Sequence, residues 1–325
     1  MENIFVTSGT SVLGFQTITL LSKNGYSVHS ISKPPLQEKL LKLSLENHCF
    51  GDFTGLSDAE VIRWLRGMDT VFYTSTLSSD TIAPKPAQEF FFRENVEPLE
   101  RLMKLAKEAG VRRFILFTSF YNALSRKWPE LELSEVHPFI HSTLEQEKLA
   151  DELTARDFQV VVLLTPFLLL DDPDQTTSFA HHFKQIRQTS EASLFQAEPI
   201  RWTFLTEAGL SRALQTVLTD DRLGSGSYLL GSGDMEALRV YELLQAEAKF
   251  PFEIKLVTAA DLEKQGMAER QRLREDASEA GLASIERAKL KQRSLVLDEN
   301  QLDSRFYQDE PGLEDAVRAR LAQLQ

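Results

Sequence analysis

Over the first 170 residues the chain alternates short apolar runs, rich in β-branched and aromatic side chains, with longer stretches of helical periodicity. Strands are predicted at 3–7, 27–32, 70–73, 113–118 and 159–164, with helices at 13–24, 58–67, 90–109 and 143–155 between them. A helix of that length between two strands carries the chain back so that the second lies parallel to the first, in a right-handed crossover. The runs are apolar along nearly their whole length, as strands covered on both faces must be. The expectation is an α/β fold with a doubly wound parallel sheet.

After Leu170 the pattern breaks up. A loop is predicted at 171–178 (DDPDQTTS), a helix at 179–188, a strand at 202–205, a helix at 207–218, a turn at 220–227 and strands at 228–230 and 252–257. Residues 259–292 are charged and helix-favouring throughout. An amphipathic helix is predicted at 312–324, acidic in its first turn and with later arginines that suit the helix dipole. The organisation expected is therefore a core of residues 1–170, joined by 200–230, and a smaller irregular C-terminal α/β region made of 171–199 and 231–325.

Composition narrows the partners. A net charge of −12 leaves no basic face for a phosphate backbone, so no nucleic-acid partner is expected. The most apolar stretch, 160–170, contains Thr165 and Pro166 and is about half the ~20 residues a bilayer span needs. Cys49 is the single cysteine, which rules out an internal disulfide and a thiolate metal cluster. Met1-Glu2-Asn3 lacks the basic start of a secretory signal, so the expected location is the cytoplasm.

At 5–14 the chain reads FVTSGTSVLG, a strand running through small residues into a helix. A dinucleotide-binding loop at such a place uses three glycines: one for the tight turn, one for close approach of the pyrophosphate, one for helix–strand packing. Here the positions hold Ser8, Ser11 and Gly14. A Cβ at Ser11 stands where a phosphate needs room. The hydroxyls of Ser11, Thr7 or Thr10 could still bond a phosphate oxygen, and the helix N-terminus favours an anion. The alternative is a plain strand–turn–helix entry with no ligand.

The order of segments resembles the extended short-chain dehydrogenase/reductase family, in its NAD-dependent epimerase/dehydratase and dihydroflavonol-reductase-like group. TSGTSVLG stands where that family has TGxxGxxG, and GDFTGLSDAEVIRWLRGMDTVFY, NVEPLERLMKLAKEAGVRRFILFTS and LTPFLLL follow in the family's order. HPFIHSTLEQEKLADEL occupies the place of its YxxSK segment, WTFLTEAGLSRAL follows, and GLEDAVRARL is similar to its closing helix. The resemblance implies a Rossmann-like fold that contacts NAD(P) through Thr7, Gly9, Thr10, Ser11, Val12, Leu13, Lys33, Asp52 and Phe53. In SISKPP, Lys33 ends the second strand with no carboxylate within reach, which favours NADP over NAD; the worn loop implies binding that is weakened or lost. Asp52 with Phe53 would hold the adenine edge. Read without the family, Lys33 is a solvated loop lysine and Asp52 caps a turn.

The family's chemistry needs a tyrosine as general acid or base, a lysine four residues on that lowers the phenol pKa, and a serine that binds the substrate oxygen. In register, the tyrosine is Phe139, the lysine is Thr143, and the serine is Ser119. Phe139 has no proton to give and Thr143 has no charge. General acid–base catalysis is worth about 10²–10⁴ in rate, so ordinary hydride transfer should be badly impaired. Tyr121 or His141 could substitute, whereas Lys148 falls off the catalytic face. His137 and His141 lie four apart and His181 and His182 are adjacent, but neither pair has a third ligand, and no metal site is expected.

Three readings of function follow. The first is a nucleotide-binding relative that lost the chemistry and works in binding, sensing or regulation, with a small molecule or protein as partner. The second is an NADP-dependent oxidoreductase or epimerase with a rebuilt site, acting on a small carbonyl or sugar-like substrate through Ser119 and Tyr121 or His141. The third is a scaffold that contacts a partner through 259–292. Relatives commonly dimerise through the 90–109 and 143–155 helices, so the resemblance also implies a homodimer.

Overall fold

The computed structural model describes residues 2–33, 47–170, 194–247 and 253–323. Its main sheet has seven strands: β1 (Asn3–Thr7), β2 (Ser27–Ser32), β3 (Asn47–Phe50), β4 (Thr70–Tyr73), β5 (Arg113–Ser119), β6 (Gln159–Thr165) and β7 (Gly226–Leu229). They lie in the order 3-2-1-4-5-6-7 and every neighbouring pair is parallel. This is the Rossmann-like α/β arrangement. The strand order reverses between β1 and β4, which opens a crevice at the carboxyl ends of the strands, where ligands of such sheets bind.

The period-2 alternation of the strands divides the core in two. Ile4, Val6, Phe72, Ile115 and Phe117 face the helices Val12–Lys23 and Glu207–Thr219. Phe5, Val71, Tyr73, Phe114 and Leu116 face Asp58–Leu65, Glu97–Glu108 and Pro138–Leu153. Both faces of the sheet are covered, which is why the strands read as continuous apolar runs.

A smaller three-stranded sheet has Arg201–Thr206 at its centre, parallel to Phe167–Leu169 and antiparallel to Gly233–Glu236. Its aromatic residues Phe167, Trp202 and Phe204 join the same cluster as Tyr121 and Phe139. The expected strand at 228–230 is β7, beginning two residues earlier. The expected helix at 179–188 and loop at 171–178 lie outside the described residues. Among the described residues no helix is long and apolar enough to cross a membrane.

Two helices differ from expectation. The 143–155 helix begins at Pro138, because proline at the first helical position has no amide to lose and a backbone already set for the helix. The 259–292 stretch is broken into Ala259–Glu275 and Ser284–Leu290, with a strand, Ser278–Ala280, between them. The break begins at Ala277, in the left-handed region (φ 50°), whose N–H reaches the Arg274 carbonyl. The strand then pairs antiparallel with Ile82–Pro84, and Gly281 N–H reaches Thr81 O at 3.0 Å. Those partners are remote in sequence, and nothing in the local composition announces them.

Candidate functional site

Two cavities flank the loop after β1 and share Leu77 in their walls. The larger, about 300 Å³, lies over the ends of β5 and β6 and takes in Ser11, Val12 and Leu13. The smaller, about 240 Å³, lies over β2 and the turn after β3 and takes in Ser8, Lys33, Asp52 and Phe53.

The loop is held by hydroxyls. Ser8 sits in the left-handed region at φ 49°, which costs a non-glycine residue about 1–2 kcal/mol. Its Oγ bonds Ser75 Oγ at 2.7 Å, and Ser75 in turn donates to Thr7 Oγ1 at 2.8 Å. Thr7 also accepts the Thr74 N–H at 3.0 Å, so its hydroxyl serves the β1–β4 junction and lines neither cavity. A Cβ on Gly14 would fall inside contact with the Ser8 carbonyl oxygen, so Gly14 is the packing glycine. Gly9 is a second one, since a Cβ there would stand 2.5 Å from Ser30 Oγ and 2.7 Å from Ile18 Cδ1. Gly9 and Thr10 form the turn without lining a cavity. Ser11 Oγ accepts the Gly14 N–H at 3.0 Å and so caps its own helix. Val12 and Leu13 open that helix, where amides have no partner within the helix, and both line the larger cavity.

On the smaller cavity, Lys33 Nζ lies 2.6 Å from Asp52 Oδ2. The expectation that no carboxylate reaches Lys33 is therefore corrected. β3 pairs beside β2 (Ser32 with Phe50, and Gly51 N–H on Ser32 O at 2.9 Å), which carries residue 52 to the end of β2. Asp52 also accepts the Thr54 N–H at 3.0 Å and caps the turn Phe53–Gly55. Burial pushes the Asp52 carboxyl up, but the bonds from Lys33 and Thr54 outweigh it and hold the group below its ordinary range. Phe53 packs edge-on against Tyr73 at 6.3 Å. Ser32 Oγ and Tyr73 Oη, on the same cavity, are buried with no hydrogen-bond partner. Two orphaned polar atoms, a cation and a carboxylate around an aromatic wall fit the polar end of a nucleotide.

On the larger cavity, Ser119, Phe120, Tyr121, Phe139, Pro166 and Phe167 form the far wall. Residues 4–185 of the sequence match the NAD dependent epimerase/dehydratase family. The chain belongs to that family. It is 31% identical over 116 residues to Uncharacterized protein YbjS of Escherichia coli (strain K12), a match covering 36% of this chain and 33% of that protein. It is 27% identical over 126 residues to 3-beta-hydroxysteroid dehydrogenase of Mycolicibacterium neoaurum, covering 37% of this chain and 32% of that protein. The chain thus spans about a third of the length of the curated relatives it matches. Among solved structures, MoeE5 in complex with UDP-glucose and NAD superposes with a TM-score of 0.67 over 99% of this chain and 98% of that one, at 17% identity, a likeness of fold.

Phe139, expected at the family's tyrosine position, forms part of the cavity wall, packed edge-on against Phe91 at 6.0 Å and Tyr121 at 6.4 Å. Thr143, expected at the lysine position, is fully buried and lines no part of the cavity. Its Oγ1 donates to Asn122 Oδ1 at 2.7 Å. Asn122 Nδ2 donates back to Thr143 O and to Glu147 Oε2, both at 2.9 Å, and Arg126 pairs with Glu147 at 3.0 Å. Ser119 Oγ accepts the Tyr121 N–H at 3.2 Å. Burial, with Asp80 adding to it, pushes the Tyr121 phenol above its ordinary pKa. An activated phenol needs the opposite shift.

His141 lines a separate groove with Glu89, Phe92 and Arg93. His137 accepts the Ala283 N–H on Nδ1 at 2.9 Å, and Lys148 pairs with Glu145 at 3.5 Å. Among the described residues no group of three or more His, Cys, Asp or Glu could hold a metal ion. Beneath the cavity lies a polar layer that sequence reasoning missed. Gln146 accepts from Thr118 Oγ1 at 2.7 Å and donates to Asn95 O at 2.9 Å, and Asn95 Oδ1 accepts the Leu77 N–H at 2.9 Å. The available signal was spacing: Gln146 falls seven residues after Phe139, on the same face of its helix.

Proposed function

We propose that the chain binds a nicotinamide dinucleotide across the two cavities and no longer performs the family's tyrosine–lysine hydride transfer, so that it works in binding, sensing or regulation. One observation carries this: the position that should supply a proton holds Phe139 in the cavity wall, and its lysine partner is Thr143, bonded away into Asn122. The Val12 and Leu13 amides and the orphaned Ser32 and Tyr73 hydroxyls supply the contacts for the nucleotide. Ser11 caps Gly14 and so removes one donor from the loop, which weakens the grip on a pyrophosphate.

NADP is the favoured form, because Lys33 stands at the end of β2, where a 2′-phosphate would share it with Asp52. In this reading residues 1–170 with 200–230 hold the nucleotide in a cytoplasmic protein. Residues 171–199 and 231–325 meet a small-molecule ligand or a protein partner, and the assembly is a homodimer.

The second reading, an NADP-dependent oxidoreductase or epimerase with a rebuilt site, is favoured by one observation: Ser119 and Tyr121 share the cavity wall. The raised Tyr121 phenol weighs against it. The two readings separate across a panel of small aldehydes, ketones and sugars, with NADPH absorbance reporting net reduction and proton NMR of the sugars reporting redox-neutral epimerisation. The proposal expects no oxidation above background. Turnover that Tyr121→Phe abolishes would establish the second reading.

A further inference from the structure

On the far side of the segment that supports Phe139 lies a cavity of about 490 Å³ that shares no lining residue with the nucleotide cleft. Its walls are the Ala259–Glu275 helix, the Ser278–Ala280 strand, Val136 at the end of the short helix Leu133–Val136, and Pro138 at the start of the Pro138–Leu153 helix. Three cations line it, in a chain whose net charge is −12: Lys85, Arg270 and Arg274. Arg270 and Arg274 are one turn apart on one helix face, and Lys85 follows the pairing strand Ile82–Pro84.

Among the described residues none of these three side chains makes an ion pair or hydrogen bond. Arg287 nearby behaves differently, with Glu269 at 2.6 Å. Ser284 adds an independent observation. It is 7% exposed, it lines the same cavity, and its hydroxyl has no hydrogen-bond partner among the described residues. A hydroxyl left unpaired at a cavity wall keeps both its donor and its acceptor capacity for a ligand.

Two carboxylates also line the cavity and restrict what enters. Glu279 Oε2 accepts the Ala87 N–H at 2.9 Å, which places that oxygen in the structure of the wall. Glu286 has no cation partner among the described residues and adds an acceptor to the cavity's lining. Guanidinium groups match phosphate oxygens in a fork, and a carboxylate matches hydroxyl groups.

We propose that this cavity is a second ligand site, for a phosphate ester that also carries hydroxyl groups, with Arg270, Arg274 and Lys85 on the phosphate, Ser284 donating to it, and Glu286 accepting from the hydroxyls. The volume lies within the usual range for small-molecule pockets. Two links join the site to the cleft among the described residues: Pro138, in its wall, directly precedes Phe139, and Ser278–Ala280 continues to Gly281, whose carbonyl accepts the Phe139 N–H at 3.0 Å.

The test is calorimetric titration of the full chain with glucose 6-phosphate at low ionic strength, with inorganic phosphate and glucose as separate probes. The comparison protein is the double variant Arg270→Ala/Arg274→Ala, whose two side chains are exposed and bear no structural bonds among the described residues. We expect glucose 6-phosphate to bind the native chain, at least about tenfold more tightly than the variant, and more tightly than either inorganic phosphate or glucose. The variant should titrate with NADPH as the native chain does, which shows it folded and the two sites separate. No heat with glucose 6-phosphate at millimolar concentration overturns the proposal, as does equal binding by the variant. Inorganic phosphate binding as tightly as the ester overturns the assignment of an ester.

Discussion

Ser8 and Gly14 lock one another in place: the left-handed turn at Ser8 turns its carbonyl oxygen toward the helix, into the space that any side chain at position 14 would need. The obstacle is backbone and cannot swing aside. Gly14→Ala should therefore destabilise the chain by about 1–3 kcal/mol, the usual consequence of overpacking, read as a lower urea midpoint. Thr143 tests the opposite side of the site. Thr143→Val keeps the shape but leaves the buried Asn122 Oδ1 without its donor, and should cost about 1–3 kcal/mol while leaving NADPH affinity unchanged. An affinity that falls with stability would place Thr143 in the nucleotide site. At this scale the sequence sets Phe139 and Thr143 against the family's tyrosine and lysine through the flanking LEQEKL, an expectation that rests on the resemblance. The Lys33–Asp52 pair is not, because only the pairing of β3 beside β2 brings the two together.

Between elements, His137 joins the short helix Leu133–Val136 to Pro138–Leu153 and holds the chain after the Ser278–Ala280 strand through Ala283 N–H. Burial, with the Arg287 charge adding to it, lowers its pKa from 6.5 to about 4. The unfolded chain then binds the proton more readily than the folded one. Stability from this group is complete above the unfolded value and is lost as the pH falls from there through the folded one, by up to about 3 kcal/mol in all. His137→Gln should remove that part of the acid loss, so the urea midpoints of variant and native chain converge on acidification. A gap that stays constant between neutral pH and pH near the folded pKa would refute the shift. The parallel sheet is legible at this scale because each strand and its crossover helix carry a local period. The Ser278–Ala280 strand is not, because its hydrogen bonds go to Ile82–Pro84, far away in the chain, while its own residues favour a helix.

At the scale of the molecule, the two cavities meet at Leu77 beside the switch point of the sheet, with unpartnered polar atoms at one end and an aromatic wall at the other. The fold and the place of the cleft follow from sequence periodicity and motif order. What the cleft retains depends on hydroxyl contacts at Ser8, Ser11 and Ser75, which no residue pattern announces. Under the proposed function this cleft still holds a dinucleotide although the family's tyrosine–lysine chemistry is gone. Calorimetric titration of cofactor-free protein with NADPH and with NADH tests it most directly. Both should bind, NADPH the more tightly, with the preference narrowed by Lys33→Ala. Binding of neither at millimolar concentration would contradict it and leave the fold as a scaffold.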